Sequence, residues 1–168
     1  MTLAQLRIVQ RRYEEAEASA AQAFKLAPGT ATAHVHLGDA MLYAGREKEA
    51  IVHYPKGLRI DPLLPHLLGQ KACAHFISRD FEEAIALGKK VLSISPKFQR
   101  ARAGQVAIYV EQGRMEEARA EAEELLRIDP KWSPKAWLKA APWKDPRVRE
   151  RFAQACRKAG LEGEASKD

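Results

Sequence analysis

The chain repeats itself every 34 residues, and this period limits the fold more than any other feature of the sequence. A proline, an alanine, a glutamate and an aliphatic residue each return at that spacing. The four columns are Pro28, Pro62, Pro96 and Pro130; Ala16, Ala50, Ala84 and Ala118; Glu15, Glu49, Glu83 and Glu117; and Leu26, Ile60, Ile94 and Ile128. A fixed period of about 20 to 50 residues is typical of a solenoid, in which each repeat packs on its neighbours.

Residues 31–64 are the most regular copy and predict two short helices joined by a turn. Apolar residues at three-to-four spacing indicate the first helix, and Gly45 follows where a residue with positive φ would end it. A second apolar stripe ends at Asp61-Pro62, because proline lacks a backbone N–H and disfavours helix in the residue before it. Pro55 lies inside this second helix, where it removes a hydrogen bond, so we expect a kink there.

These residues resemble the tetratricopeptide repeat family, whose 34-residue helix-turn-helix unit has small residues where its helices cross. The matching positions are Leu37, Gly38, Met41, Ala50, Tyr54, Gly57 and Pro62, then Ala72, Phe81, Ala84, Val91 and Pro96, then Tyr109, Gly113, Ala118, Ala122, Leu125 and Pro130. The resemblance implies an all-α fold, a right-handed superhelical solenoid of helix pairs. It also implies that the chain is a scaffold that binds other proteins.

The period divides residues 1–130 into a truncated first repeat, 1–30, and full repeats 31–64, 65–98 and 99–132. The first helix of the first repeat is clipped. Either the protein begins abruptly here or the chain continues upstream. We favour the second, because a solenoid end normally needs a polar cap and this helix carries the apolar residues Leu3, Leu6, Ile8 and Val9. An alternative is homodimerisation, in which the apolar residues Leu6 and Val9 pair with a second copy.

The period fails at the C-terminal end, where we predict a helical cap over 131–162 and a disordered tail over 163–168. Asp145-Pro146 begins a last helix by the cap-plus-proline rule, and Gly160 ends it. The apolar stripe of this helix consists of Val148, Phe152, Ala155, Cys156 and Ala159. The stripe either covers the end of the fourth repeat, which we favour, or folds into the inner surface of the solenoid and blocks it.

Residues 141–161, APWKDPRVRERFAQACRKAGL, resemble the segment after tetratricopeptide repeats in some bacterial class III adenylate or guanylate cyclases and related regulators. The resemblance rests on a proline and an aromatic residue before Lys-Asp-Pro and on the closing Arg-Lys-Ala-Gly-Leu. It implies a regulatory module of a longer signalling protein. Alternatively, the chain is a fragment of a cyclase whose catalytic domain is absent from these 168 residues.

Composition narrows the classes of function. The sequence has no signal peptide and no apolar run near the roughly 20 residues that span a bilayer, so we expect a cytoplasmic protein without membrane contact. Cys73 and Cys156 lie far apart without metal-ligand spacing, which is typical of reduced thiols. The net charge is +6, and residues 131–168 hold ten Lys or Arg against five Asp or Glu. No nucleic-acid motif accompanies this basic tail, so we expect solvated surface rather than nucleic-acid binding.

No residue pattern predicts catalysis, a metal site or a cofactor, so we expect a protein that is not an enzyme. His34 and His36 are two positions apart and face different directions on a helix, which disfavours a shared metal ion. Cys73 has no charged activator nearby in the sequence, and we expect a small buried residue rather than a reactive thiol.

The family resemblance implies a binding groove on the concave face made by the first helices of the repeats. The family's inward positions fall here on Val35, Asp39, Leu42, His66, Cys73, Phe76, Arg100, Ala103, Ala107 and Val110. This mostly small and apolar set suits an amphipathic helix or an extended apolar segment of a protein partner. Members that bind acidic chaperone C-termini use Lys, Asn and Arg at columns that here hold Val35, Asp39, Gly69 and Cys73. We therefore expect no chaperone-tail binding.

Overall fold

The computed structural model describes residues 2–62, 65–140 and 142–161, so the tail predicted over 163–168 lies outside the described residues. Within these ranges the chain forms ten α-helices and no strand, and none of these helices is long and apolar enough to cross a bilayer. The helices are α1 (Leu3–Val9), α2 (Tyr13–Leu26), α3 (Ala31–Tyr43), α4 (Glu47–Ile60), α5 (Pro65–Ile77), α6 (Phe81–Ile94), α7 (Gln99–Glu111), α8 (Met115–Ile128), α9 (Pro134–Ala140) and α10 (Pro146–Lys158).

The first eight helices pack in sequential pairs, and each pair packs on the next one. The second helix of a pair contacts the first helix of the following pair, as α4 contacts α5 and α6 contacts α7. The alanine column is buried in this packing, and Ala50, Ala84 and Ala118 are 0% exposed. A larger side chain there would overpack the contact at a cost of about 1–3 kcal/mol. The architecture is the all-α solenoid that the period predicts.

The turn inside each pair holds one residue in the left-handed region, at the same place in every repeat. Its φ is 88° at Gly45 and 73° at Gly113, but the position is occupied by Arg11 (φ 60°) and Arg79 (φ 62°) in the first and third repeats. A non-glycine residue pays about 1–2 kcal/mol for this conformation. The packing of the helix pair therefore sets the turn geometry even where the sequence offers no glycine.

The glutamate column stabilises the start of the second helices. Each of these glutamates in the first, second and fourth repeats pairs with an arginine three residues before it. The pairs are Arg12–Glu15, Arg46–Glu49 and Arg114–Glu117. All three glutamates are about half exposed, so each pair contributes little to stability. The pairs recur because they are part of the repeat unit.

Pro55 lies on the exposed side of α4, which continues through it as one helix, Glu47–Ile60. Proline has no N–H to donate to the carbonyl of Ile51, so one helical hydrogen bond is lost on that side. The kink expected at this point stays a prediction.

α10 begins and ends where the sequence predicts. Asp145 Oδ1 accepts a hydrogen bond from the Arg147 backbone N–H at 2.8 Å. At the other end Gly160 has a φ of 87°, and the Leu161 N–H donates to the Cys156 carbonyl at 3.0 Å, which is the Schellman pattern. All five residues of the predicted apolar stripe are buried.

α10 packs mainly against α7 and α9. A helix that extended the stack would pack on α8, as α3, α5 and α7 each pack on the second helix of the repeat before them. α10 instead lies across the inner side of the first helices, as its contacts below show. The structure thus has the second of the two placements considered from the sequence, not the favoured cover over the end of the fourth repeat.

Candidate binding groove

The inner face of α3, α5 and α7, here called the groove, is filled by residues 142–161, here called the C-terminal segment. Trp143 and Phe152 enter the groove and are only 4% and 2% exposed. Together with Trp137 they cover a cavity of about 40 Å³ whose walls come from α5, α6 and α7. A cavity of that size holds at most a few water molecules, so the segment packs closely on the groove beneath these three rings.

Three aromatic rings form the apolar part of this contact. The Trp137 ring stacks on the Phe152 ring at a centroid distance of 4.6 Å. The Trp143 ring meets both edge-on, at 5.1 Å from Trp137 and 5.5 Å from Phe152. Such pairs add about 0.5–1.5 kcal/mol each beyond the burial of their surface.

Arg151 connects the segment to the ends of α5 and α7. Its Nε lies 2.7 Å from Glu111 Oε1, and its Nη2 donates to the Phe76 carbonyl at 2.7 Å. The guanidinium also lies over the Phe76 ring, 4.4 Å from the centroid. Burial lowers the pKa of Arg151, and Glu111 opposes that shift.

Lys144 connects the segment to the first two repeats. Its backbone N–H donates to the Tyr43 carbonyl at 3.0 Å, and its Nζ lies 3.2 Å from Glu14 Oε1. The ammonium also lies 5.5 Å from the centroid of the Tyr13 ring. The backbone N–H of Glu14 and the Lys144 ammonium hold the pKa of Glu14 below its usual value. The segment therefore contacts every repeat of the array.

The floor of the groove is a hydrogen-bond network between α3, α5 and α7. Arg100 Nη1 donates to the Tyr43 hydroxyl at 2.9 Å and to Gln70 Oε1 at 3.0 Å, and Gln70 Nε2 donates to the same hydroxyl at 3.0 Å. Burial raises the pKa of Tyr43, and Tyr43 raises the pKa of Arg100. Arg100, one of the predicted groove residues, thus connects three helices.

Asp39 is fixed in a second network. It is 3% exposed, accepts a hydrogen bond from the Tyr54 hydroxyl at 3.2 Å and lies 3.1 Å from His66 Nε2. Burial raises the pKa of Tyr54 well above its usual value. The His66 side chain remains 42% exposed, so this part of the predicted groove is open.

The predicted groove residues divide into two groups. Cys73, Phe76 and Arg100 line the cavity beneath the C-terminal segment, and Ala103, Ala107 and Val110 belong to the same apolar cluster as α10. Val35 and Leu42 belong to a different cluster, formed between α3, α4 and α5. Sequence reasoning missed Tyr43, Gln70 and Glu111 because their partners come from distant repeats or from the C-terminal segment. The Trp143–Pro146 motif was the one feature of the sequence that pointed to a role for the C-terminal segment.

The two thiols lie in apolar surroundings. Burial raises the pKa of Cys73 to about 11 and that of Cys156 to about 12, so neither is a thiolate at neutral pH. Within the described residues, no group of three or more His, Cys, Asp or Glu side chains could hold a metal ion.

Solved structures share this fold at low sequence identity. MamA is 16% identical with a TM-score of 0.69, over 95% of this chain and 93% of that one. YrrB, described as a TPR protein with an unusual peptide-binding site, is 20% identical with a TM-score of 0.63, over 93% and 80%. The first TPR of Spaghetti (RPAP3), bound to the HSP90 peptide SRMEEVD, is 20% identical with a TM-score of 0.59, over 77% and 93%. Among curated proteins, none matches the sequence significantly.

The sequence itself carries the evidence for a family. Tetratricopeptide repeat models match residues 1–65 and residues 75–141, which together make up most of the chain. The two ranges contain α1 to α4 and α6 to α9, and most of α5 lies between them. The chain therefore belongs to the tetratricopeptide repeat family.

Proposed function

We propose that this protein is a non-catalytic scaffold that binds a helical segment of a partner protein in its groove. The observation that carries the proposal is that the groove already holds a helix, the chain's own α10, through buried aromatic side chains. Laying the apolar face of a helix into a groove is a recurrent mode of peptide recognition. The peptide-binding structures YrrB and RPAP3 support a protein or peptide partner.

The same contact gives the scaffold a regulatory role. An intramolecular segment competes at an effective concentration that reaches the millimolar range for short linkers, so a partner must displace it. The C-terminal segment therefore lowers the apparent affinity for the partner. A regulatory module of a longer signalling protein would use such a contact as its closed state.

The charges at the groove support the absence of chaperone-tail binding. Glu14 and Glu111 lie at its edges, and the buried cation Arg100 is already bonded to Tyr43 and Gln70. An acidic C-terminal peptide would meet like charges at both edges. Calorimetry with the peptide SRMEEVD is expected to show no binding in the micromolar range or tighter.

The Phe152→Ala variant of the full chain tests the proposed function. This truncation costs about 3–5 kcal/mol of packing, which loosens the segment and frees the groove. A fluorescent peptide with the sequence of residues 142–161 is then expected to bind the variant at least tenfold more tightly than the wild type. Gln154→Ala, an exposed position on the same helix, is the matched control and should behave like the wild type. If the folded Phe152→Ala chain does not bind the peptide, the groove is not a helix-binding site.

A second candidate function is self-association through α1, and one observation favours it. Leu3, Leu6 and Val9 form an apolar stripe and are 57%, 36% and 61% exposed. Light scattering of a Leu6→Glu/Val9→Glu double variant tests the idea. A dimer that survives both substitutions, or a wild type that is monomeric, would exclude it.

A further inference from the structure

The C-terminal segment contacts the groove at two places, each with an aromatic side chain next to a cationic one. Trp143 and Lys144 are neighbours, and so are Arg151 and Phe152. At each place the aromatic ring enters the groove while the adjacent cation lies beside a carboxylate of the repeats.

The arginine site has three separate features that suit a guanidinium. The Glu111 carboxylate forms an ion pair with it, the Phe76 carbonyl accepts a hydrogen bond from it, and the Phe76 ring presents its face to it. Arg151 and Glu111 are only 23% and 14% exposed, so water screens their interaction weakly. Removing one charge would leave the other partly buried and unpaired, which makes this pair selective.

The lysine site is weaker and more exposed. Lys144 is 51% exposed and Glu14 is 83% exposed, so this pair adds little affinity. It favours the approach of a positively charged partner and fixes the direction in which that partner lies. We therefore expect Glu111 to determine the selectivity for a cationic partner and Glu14 to affect mainly its approach and orientation.

All of these acceptors belong to the repeats rather than to the C-terminal segment. Phe76 and Glu111 lie in the last turns of α5 and α7, and Tyr13 and Glu14 lie in the first turn of α2. The packing of its own repeat keeps each of these residues in place. The acceptors therefore stay in place when the segment leaves.

We propose that the groove is selective for a basic amphipathic helix with aromatic anchors, in which an arginine adjacent to an aromatic residue binds between Glu111 and Phe76. This inference rests on the proposed function and names the chemistry of its partner. The C-terminal segment is an intramolecular copy of that partner, and the two compete for the same site.

Two full-length variants open the groove and differ in the charge that they leave in it. Arg151→Glu repels the segment from Glu111 and leaves the groove acidic. Glu111→Arg repels the segment from the other side and leaves the groove basic. Each is titrated with two labelled peptides of residues 142–161, one of wild-type sequence and one that carries Arg151→Glu.

The expected result is a reversal of preference. The Arg151→Glu chain should bind the wild-type peptide at least tenfold more tightly than the charge-reversed peptide, and the Glu111→Arg chain should show the opposite order. Arg147→Glu is the matched control, because Arg147 makes the same charge change on the same helix but is 90% exposed and pairs with Asp145. This control should bind both peptides as weakly as the wild type does.

The outcomes separate this proposal from the proposed function. If both opened chains bind the two peptides equally well, the groove accepts helices without regard to charge and the present proposal is wrong. If neither folded chain binds either peptide, the proposed function fails and this proposal fails with it. If the substitutions unfold the chain, the wild type is titrated with both peptides at low and high salt. Equal affinities at low salt would then overturn the proposal.

Discussion

The contacts between repeats and the contact between the groove and the C-terminal segment are both buried, but they are built differently. Among the repeats, buried small side chains such as Ala50 and Ala84 return every 34 residues, and the packed helices are neighbours in the sequence. The groove contact uses large rings, does not repeat, and joins Arg151 to Phe76 across 75 residues of chain. The first kind of contact is the architecture itself. The second joins the repeats to a segment that lies outside their period.

The largest effect is expected from Tyr54→Ala, which tests the first kind of contact. Tyr54 is 0% exposed, belongs to the apolar cluster that joins α3 and α4 to α5 of the next repeat, and donates a hydrogen bond to Asp39. The substitution should lower the free energy of unfolding in urea by about 3–5 kcal/mol. The equally buried Phe152, changed to alanine, should instead speed hydrogen exchange in α10 and leave the amides of α3 to α6 protected. If both variants lose global stability to the same extent, the segment unfolds with the repeats and the comparison breaks down.

A smaller effect is expected from Gly38→Ala, which probes how tightly the helices of one pair approach. A Cβ at Gly38 would lie 2.6 Å from Cε1 of the buried Tyr54 ring. Overpacking of this kind costs about 1–3 kcal/mol of unfolding free energy. The matched control is Gly104→Ala in α7, where a Cβ meets nothing within 4 Å. That change should raise stability by about 0.5–1 kcal/mol through helix propensity. Thermal unfolding of both variants gives the comparison, and equal signs would contradict it.

The turn of the third repeat offers a gain in stability. Arg79 has a φ of 62°, which glycine adopts without strain, so Arg79→Gly should raise the free energy of unfolding by about 1 kcal/mol. The reverse change, Gly113→Ala, acts at the equivalent turn of the fourth repeat, where φ is 73°, and should lose a similar amount. Urea midpoints measure both effects. A loss of stability in Arg79→Gly would show that the arginine side chain stabilises the turn more than its backbone strain costs.

The smallest effect is expected from acidification, which should lower the free energy of unfolding through two histidines at the contact between α2, α3 and α4. The rings of His34 and His53 lie 5.9 Å apart beside Phe24, and burial followed by the charge of Lys56 lowers the pKa of both. The unfolded chain therefore takes up these protons at a higher pH than the folded chain does. Stability should fall as pH drops through about 6.5, the usual value for histidine. Urea unfolding between about pH 7.5 and about pH 5 measures this slope. The His34→Gln/His53→Gln variant should flatten it, and an equal slope in both chains would point to other groups.

The groove residues show which parts of the site the sequence predicts and which it does not. Cys73, Phe76 and Arg100 line the cavity, because the 34-residue register places them on the inner face. Their role in binding a partner stays a prediction. Glu111 was not predicted, because its partner, Arg151, lies on a helix outside the repeats. A period can show which residues point inward, but it cannot show which distant side chain meets them.

The sequence by itself determined the repeat register, the small residues at the helix crossings and both ends of α10. These features depend on backbone hydrogen bonds and on contacts within one repeat or between neighbours, so a short stretch of residues contains all the information. Only the tertiary structure decided where α10 lies. Its apolar stripe could be buried on either of two surfaces, because burial of apolar area has no direction of its own. The positions of Phe76, Glu111 and Tyr43, which exist only after the repeats have stacked, favour the groove.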